Sequence, residues 1–282
     1  MSPPDPARRA CVIGWPVAHS RSPLIHGYWL KHYGIEGSYG REAVAPEDLA
    51  GFIGRLSSLG YVGCNVTLPH KETVYGLVEV QDQTTRRIQA VNTVYVEGDR
   101  LIGFNSDAYG FVAHLRSVSP DWRGEGVNVL VLGAGGAARA IIAGLLGEGV
   151  SHIAIANRTE ARGRSLAEHF GEKVSSYPWA AIPRHLPACD LVVNTTLLGM
   201  AGQPPLEIDL DGLPPGAAVA DIVYVPLETD LLRQARARGH PVVDGLGMLL
   251  HQAVPGFEAW FGVRPEVTPQ LRALVEADLA GK

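Results

Sequence analysis

The sequence predicts an α/β protein of two domains built on mainly parallel sheets, and three observations predict it. Short apolar runs of strand length recur at 10–14, 61–65, 127–132, 152–156, 190–194, 217–223 and 241–244. Amphipathic stretches of helical length separate most of them, and strand–helix alternation of this kind favours parallel pairing. The chain has 282 residues, 46% hydrophobic and 19% charged, enough apolar content for one large core or two modest ones.

Composition also excludes several classes of function. A net charge of −5 gives no electrostatic footprint for nucleic acid or anionic lipid. The three cysteines, Cys11, Cys64 and Cys189, form no C-x-x-C spacing and are expected as buried, reduced thiols, which suits a cytoplasmic protein. Residues 1–9 are polar and proline-rich and lack the apolar centre of a signal peptide. No apolar run is long enough to cross a bilayer. His, Asp and Glu never fall at H-E-x-x-H or a similar spacing, so no metal site is expected.

In chain order, the first informative stretch is His19, Ser20, Arg21, Ser22 and Pro23, ahead of a helical pattern. Ser22 before Pro23 suits a helix N-cap followed by proline at the first helical position. That leaves Ser20 unexplained, and two hydroxyls in one loop suit a small polyhydroxy or carboxylate ligand. Residues 65–71 (Asn-Val-Thr-Leu-Pro-His-Lys) follow a strand, with Pro69 expected to start a helix and Lys71 to fall in its first turn. A cation there opposes the helix dipole, which disfavours its charged form and suits acid–base work; a solvated surface lysine explains the position about as well. Residues 90–93 (Ala-Val-Asn-Thr) lead into a strand where Asn92 has no structural duty. Asp107 opens a helical pattern over 108–115 and reads first as a cap or first-turn carboxylate.

A polar, turn-rich stretch at 117–126 marks a domain boundary, with a helix near 108–117 as the alternative connector. The expected division is a first domain of residues 1–107, completed by 246–282, and a second of 108–245. Two helical stretches near 248–261 and 268–279 are too short for a domain of their own and are expected to pack back on the first.

The second domain opens with a buried-strand run at 128–132, then Gly133, Ala134, Gly135, Gly136, Ala137 and Ala138, then a helical pattern. This is G-x-G-x-x-A between a strand and a helix. Gly133 permits the tight turn, Gly135 lets a pyrophosphate approach the backbone, and Ala138 lets the helix pack close to the strand. The helix N-terminus offers free N–H groups and a positive dipole end to phosphates. The motif alone is weak; its strand-and-helix context makes it a dinucleotide loop and the domain Rossmann-like and doubly wound. At the end of the next strand stand Asn157, Arg158 and Thr159, with Arg162 and Arg164 beyond, where an NAD site usually carries an acid. Guanidinium pairs with a 2′-phosphate, so NADP is favoured over NAD. Thr159 also suits a helix N-cap, and the arginines a solvated helix surface. Thr195, in the turn after the strand at 190–194, is expected to wall the cofactor site, although a plain turn explains the stretch nearly as well. Met248 and Gln252, four apart on one predicted helix, share a face.

Taken together, these pieces resemble the shikimate dehydrogenase family. The motifs that carry the resemblance are 19–23, 65–71, 90–93, 105–107, 133–138, 157–159, 221–226 (Asp-Ile-Val-Tyr-Val-Pro) and 245–252 (Gly-Leu-Gly-Met-Leu-Leu-His-Gln), in that order along nearly the whole chain. The resemblance implies reversible NADPH-dependent reduction of 3-dehydroshikimate to shikimate in aromatic amino-acid biosynthesis. It implies Lys71 and Asp107 as the catalytic pair and Ser20 and Ser22 as holders of the substrate carboxylate. It makes Thr67, Asn92, Tyr224 and Gln252 further substrate contacts, and it places Asn65 in the same motif. The 133–138 loop, Asn157, Arg158, Thr159, Arg162, Thr195, Gly245 and Met248 fall to the cofactor. The family includes monomers and homodimers. One departure is Gln89, where the family usually has glycine. A nearby branch uses quinate as well, often with NAD and an acid near position 158; Arg158 and the serine pair speak against it. A non-catalytic NADP-binding regulatory protein would keep the glycine loop but lose Lys71 and Asp107, and a related lysine-based dehydrogenase acting on folate would not call for the serine pair.

Overall fold

The computed structural model describes residues 8–281; the proline-rich residues 1–7 lie outside it. The chain divides into two compact units, Met1–Ser106 with Gln252–Lys282, and Asp107–His251. In chain order the elements of the first stretch are β1 (Arg8–Gly14), α1 (Ser22–His32), β2 (Gly37–Ala43), α2 (Leu49–Gly54), β3 (Tyr61–Val66), α3 (Lys71–Tyr75), β4 (Glu79–Val80), α4 (Gln83–Ile88), β5 (Thr93–Glu97) and β6 (Arg100–Phe104). The second unit carries α5 (Asp107–Val118), β7 (Asn128–Leu132), α6 (Gly136–Gly147), β8 (His152–Asn157), α7 (Glu160–Phe170), β9 (Val174–Pro178), α8 (Ile182–His185), β10 (Leu191–Asn194), β11 (Ala218–Asp221), α9 (Asp230–Ala237) and β12 (Val242–Val243). Helices α10 (Gly245–Phe261) and α11 (Pro269–Ala280) finish the chain, and the division between units falls inside α10.

The second unit shows why its strands read as unbroken apolar runs. Side chains alternate between the two faces of a strand. Val129, Val131, Ile153, Ile155, Leu191 and Val193 enter one core with Ile141, Ile142 and Leu145 of α6. Leu130, Leu132, Ala154, Ala156, Val192 and Val219 enter another with Leu231, Leu232 and Ala235 of α9. Both faces are buried, so no polar residue interrupts the run. The sheet is all parallel in the order β12-β11-β10-β7-β8-β9. The order reverses between β7 and β10, and ligands of such sheets gather at the carboxyl ends of the strands at that switch.

The first unit is α/β but not purely parallel. Its order is β2-β1-β3-β5-β6-β4, with β1, β2 and β3 parallel and β5 antiparallel to both β3 and β6. The β5–β6 hairpin escaped the apolar-run pattern because each short strand is buried over only part of its length: β5 runs from buried Thr93 and Val94 to exposed Glu97, and β6 starts at exposed Arg100. The later part of α10, from Gln252, and α11 belong to this unit, while the start of α10 belongs to the second. Trp260 of α10 is almost fully buried and donates from Nε1 to the Val94 carbonyl at 2.9 Å. A methyl group at Gly63 would lie 2.1 Å from that same indole nitrogen, so the strand needs glycine for the helix to seat. Trp29 of α1 donates to the Glu266 carbonyl at 2.9 Å.

The three cysteines are free and buried, as expected. Burial pushes the Cys64 thiol up to about 12 and the Cys189 thiol to about 11. Neutral buried thiols of this kind are poor nucleophiles.

Gln89 explains the glycine usual at its position. It ends α4 with φ 55° and ψ 33°, in the left-handed region, and it is the one non-glycine residue with positive φ among those described. Glycine holds that conformation without a Cβ penalty. We expect Gln89→Gly to stabilise the fold by about 1 kcal/mol and raise Tm by roughly 2–4 °C, measured by thermal unfolding. An unchanged or lower Tm would show that the Gln89 side chain offsets its strained backbone.

Candidate active site

In the first unit a neutral hydrogen-bonded network gathers several of the expected residues. Asn92, 3% exposed, accepts through Oδ1 from the Ser106 backbone N–H at 2.8 Å, the Ser106 hydroxyl at 3.1 Å and the Thr93 hydroxyl at 2.9 Å. Ser106 Oγ also lies 3.4 Å from Gln252 Oε1 of α10. Asn65, at the end of β3, donates through Nδ2 to the Asn92 carbonyl and to Thr93 Oγ1, both at 3.2 Å. Its Oδ1 accepts from the Tyr39 hydroxyl at 2.5 Å. Every amide orientation is therefore set by a neighbour, and a satisfied buried network of this kind is rigid. Tyr39 on β2 had no signal in the spacing of the sequence. Only the fold shows it beside Asn65, with its ring stacked 4.1 Å from that of His26. Burial holds His26 down to about 3, so this histidine is neutral and belongs to an aromatic core rather than to acid–base work.

Ser20 and Ser22 are together. Ser20 Oγ donates to Ser22 Oγ at 3.2 Å, and Arg41 clamps the loop from the Ser20 carbonyl at 2.7 Å. The cap expected of Ser22 is corrected. The N-cap of α1 is Arg21, Ser22 is already helical, and no side chain makes the capping bond. A helical start pre-set by Pro23 does not need that bond, which frees the Ser22 hydroxyl to face Tyr39 and Ser20.

Lys71 also departs from expectation in detail. Pro69 does not start a helix. It follows a cis peptide bond in the turn after β3, and α3 begins at Lys71 itself with His70 as N-cap. With five residues, α3 carries a much smaller dipole than a full-length helix, so the field invoked for Lys71 is weaker than its position suggested. Lys71 is half-buried, and its carbonyl accepts from Val91 N–H at 2.8 Å, which ties the lysine turn to the strand-entry segment of Asn92. Thr67, half-buried, bonds the Ile13 carbonyl of β1 through its N–H at 2.9 Å. Asp107 is the first residue of α5, half-buried in its first turn.

In the second unit, β7 delivers Leu132 into the glycine loop at the switch point. Gly133 has φ +108°, and a methyl group there would lie 2.7 Å from Thr195 Oγ1 and 2.9 Å from Thr196 Cγ2. Both the backbone and the neighbouring turn demand glycine. Thr195 is buried, and its N–H and hydroxyl both donate to the Leu132 carbonyl, at 2.9 and 2.7 Å. Thr195 therefore braces the loop. Gly135 is the N-cap of α6, and a methyl group at Gly135 or Gly136 would meet no protein atom. Both are exposed, Ala134 and Ala137 are half-buried, and Ala138 is fully buried where α6 meets the sheet.

The fit to a phosphorylated dinucleotide is good on these observations. The tip of the loop presents bare backbone at the start of a twelve-residue helix with no acid in its first turn. At the end of β8 no carboxylate stands at 157–159. Asn157 donates to the Thr159 carbonyl at 2.7 Å and shapes the turn. Arg158, Thr159 and Arg162 are exposed, and Thr159 occupies the N-cap of α7 without a side-chain capping bond. Arg164 pairs instead with Glu160 at 3.7 Å. Tyr224 is half-buried in the turn after β11. Gly245 opens α10, and a methyl group there would lie 2.2 Å from the Ile222 carbonyl. Met248 packs on the second unit's core, whereas Gln252, one turn on, bonds within the first unit.

The polar hub at the end of β10 and β11 was only partly legible. Asp221, 1% exposed, accepts from Asn194, Val223 and Thr229, and nothing in its spacing marks it as more than a strand end.

Comparison with known proteins gives three family matches in order along the chain. These are the shikimate dehydrogenase substrate binding domain over residues 12–94, shikimate / quinate 5-dehydrogenase over 118–199, and the shikimate 5′-dehydrogenase C-terminal domain over 245–274. A shikimate dehydrogenase (NADP(+)) of Rhodopseudomonas palustris strain TIE-1 is 57% identical over 275 residues, 98% of each chain. Among solved structures, a shikimate 5-dehydrogenase of Thermus thermophilus in complex with NADP(H) and shikimate matches with TM-score 0.83 and 35% identity, over 97% of this chain and 99% of that one. A quinate dehydrogenase of Corynebacterium glutamicum in complex with NAD matches with TM-score 0.89 and 29% identity, over 96% and 99%.

The bare tip of the glycine loop predicts a separable effect. Gly135→Ala meets no protein atom and needs no unusual φ, so Tm should stay within about 2 °C of wild type, while dinucleotide affinity measured by calorimetry should fall at least tenfold. Unaltered dinucleotide affinity would remove the loop from the cofactor site.

Proposed function

The chain belongs to the shikimate dehydrogenase family, and from that premise we propose how its residues carry out the NADP-dependent interconversion of shikimate and 3-dehydroshikimate. The observation that carries the proposal is the pairing of two kinds of site. One unit holds a neutral lattice of amides and hydroxyls beside Lys71, and the other a bare glycine loop followed by arginines where an NAD enzyme places an acid.

The Ser20 and Ser22 hydroxyls hold the substrate carboxylate by hydrogen bonds. Asn92, Thr67, Tyr224 and Gln252 take the ring hydroxyls, with Asn65 fixing the Asn92 segment. Amides and hydroxyls can each donate and accept, which suits a polyhydroxylated ring. The Gly133–Ala138 loop, braced by Thr195, receives the pyrophosphate, and Gly245 takes part in the same cofactor site. Arg158, Thr159 and Arg162 receive the 2′-phosphate, Asn157 shapes their turn, and Met248 lines the nicotinamide side.

NADPH, when bound, supplies the hydride to the carbonyl carbon of dehydroshikimate, and NADP⁺ takes it back in reverse. As the carbonyl oxygen gains charge, the Lys71 ammonium hydrogen-bonds it and gives it a proton, leaving a neutral amine that solvent reprotonates. Asp107 orients the lysine and holds a neighbouring hydroxyl. In oxidation the neutral Lys71 amine accepts the hydroxyl proton. The protein works on small molecules, and no described helix is long and apolar enough to cross a membrane. The buried free thiols suit a reducing cytoplasm. The choice between monomer and homodimer is read directly by light scattering of the purified chain.

Quinate with NAD is the second reading, favoured by the likeness to the Corynebacterium quinate dehydrogenase and by the shikimate / quinate family match. Absorbance at the reduced-nicotinamide band separates the two, with shikimate or quinate offered against NADP⁺ or NAD⁺. The shikimate–NADP⁺ pair should give the highest kcat/KM, and a preference for quinate with NAD⁺ would overturn the proposal. Arg158→Glu should raise KM for NADP⁺ at least tenfold while leaving that for NAD⁺ nearly unchanged. Lys71→Ala should lower kcat by about two orders of magnitude or more with KM changed much less. Near-normal turnover in that variant would remove the lysine from the chemistry.

A further inference from the structure

Asp221 is the most deeply buried acid of the second unit, and three separate pieces of chain meet on it. Its Oδ1 accepts from Asn194 Nδ2 at 2.9 Å and from the Val223 N–H at 3.0 Å. Its Oδ2 accepts from the Thr229 hydroxyl at 2.7 Å. Thr229 in turn is the N-cap of α9, accepting from the Leu232 N–H at 3.4 Å. Asn194, with its amide nitrogen turned to Asp221, presents Oδ1 to the turn that follows β10. There it accepts from the Thr196 N–H at 3.0 Å and the Thr196 hydroxyl at 2.8 Å. The same amide nitrogen donates to the Leu198 carbonyl at 3.2 Å, and the Thr196 hydroxyl accepts from the Leu198 N–H at 3.1 Å. This is the turn whose Thr195 and Thr196 stand where a Gly133 methyl group would go. On the other side, the Val223 bond sets the start of the turn that carries Tyr224.

The fold gains little from keeping a charge here. Burial raises the Asp221 carboxyl to about 6 despite the three donors, against an ordinary value of 3.8. Between those two values the folded state binds more protons than the unfolded chain, so stability falls as pH rises through that window. At neutral pH the ionised group is therefore a net cost to the fold, although its hydrogen bonds are charge-assisted and hold their donors firmly. A residue that costs stability and still organises two ligand-facing turns is better explained by what those turns do.

We propose that Asp221 is a positioning residue for the dinucleotide site: its carboxylate fixes the Asn194 amide and the Thr229 cap, and so holds the Thr195 turn against Gly133 and the Tyr224 turn in place. The proposal rests on the NADP site argued above. The carboxylate, 1% exposed, acts through Asn194, Val223 and Thr229.

Asp221→Asn removes the charge at nearly constant volume. It also turns one acceptor into an N–H₂ group facing Thr229, whose oxygen is already engaged by α9. Asn194 then loses the anion that selects its orientation. We expect Asp221→Asn to keep Tm at pH 7.5 at or above the wild-type value, yet to weaken NADP⁺ binding by calorimetry about tenfold and to lower kcat/KM at least as much. Thr229→Val should weaken NADP⁺ binding in the same direction, and Thr229→Ser, which keeps the hydroxyl, should restore it to within about twofold of wild type. Wild-type NADP⁺ affinity in Asp221→Asn would overturn the proposal. So would a loss of affinity accompanied by a fall in Tm of several degrees, since the carboxylate would then be holding the fold alone. A wild-type protein that binds no NADP⁺ would overturn the cofactor site itself, and this role with it.

Discussion

At the carboxyl end of the first strand of each sheet there is no room for a Cβ atom, and both candidate sites depend on that. Gly14 ends β1, and a methyl group there would lie 2.5 Å from Thr67 Cγ2 and 3.2 Å from the Leu68 carbonyl. Gly133 follows β7 and meets Thr195 and Thr196 in the same manner. In each unit the glycine lets the exit loop of the neighbouring parallel strand, β3 or β10, close over the strand end. Backbone bonds then seal the contact: Thr67 N–H to Ile13 and Trp15 N–H to Leu68 in one unit, Thr195 N–H to Leu132 in the other. One sealed loop leads to Lys71, and the other braces the dinucleotide turn.

The two sites differ in chemistry as their ligands do. In the first unit the polar groups around Asn92 are neutral and mutually oriented, an arrangement free of the desolvation cost of a buried charge and suited to the hydroxyls proposed above. The neutral His26 stacks behind Tyr39 with Phe257 and Trp260 as part of an aromatic core. In the second unit Arg158 and Arg162, proposed above to meet the 2′-phosphate, lie exposed. Its one deeply buried charge, on Asp221, serves to hold loops.

Much of this was legible in the sequence because it rests on local rules. Parallel strands buried on both faces read as apolar runs, and the glycine loop shows its purpose through the strand before it and the helix after it. The departure at Gln89 was visible as a missing glycine, though only the left-handed backbone says why glycine belongs there. What was not legible is long-range. Tyr39 reaches Asn65 only because β1 lies between β2 and β3 in one sheet. Asp221 meets Thr229 only because a turn folds back on the strand end. Ser22 imitated a cap because serine before proline is the usual cap pattern, and a helix that begins one residue earlier uses the same letters. The β5–β6 hairpin is buried only away from its turn, with Glu97 and Arg100 exposed, and so lacks the signal of a strand buried on both faces.

The division of labour between the two strand-end glycines is tested most directly by titrating shikimate and NADP⁺ separately into Gly14→Ala and Gly133→Ala, with circular dichroism confirming the fold. Gly14→Ala should weaken shikimate about tenfold or more and leave NADP⁺ nearly unchanged, because the displaced Thr67 lies in the shikimate half. Gly133→Ala should do the reverse. Folded variants that each lose both ligands equally, or that bind both as wild type does, would contradict it.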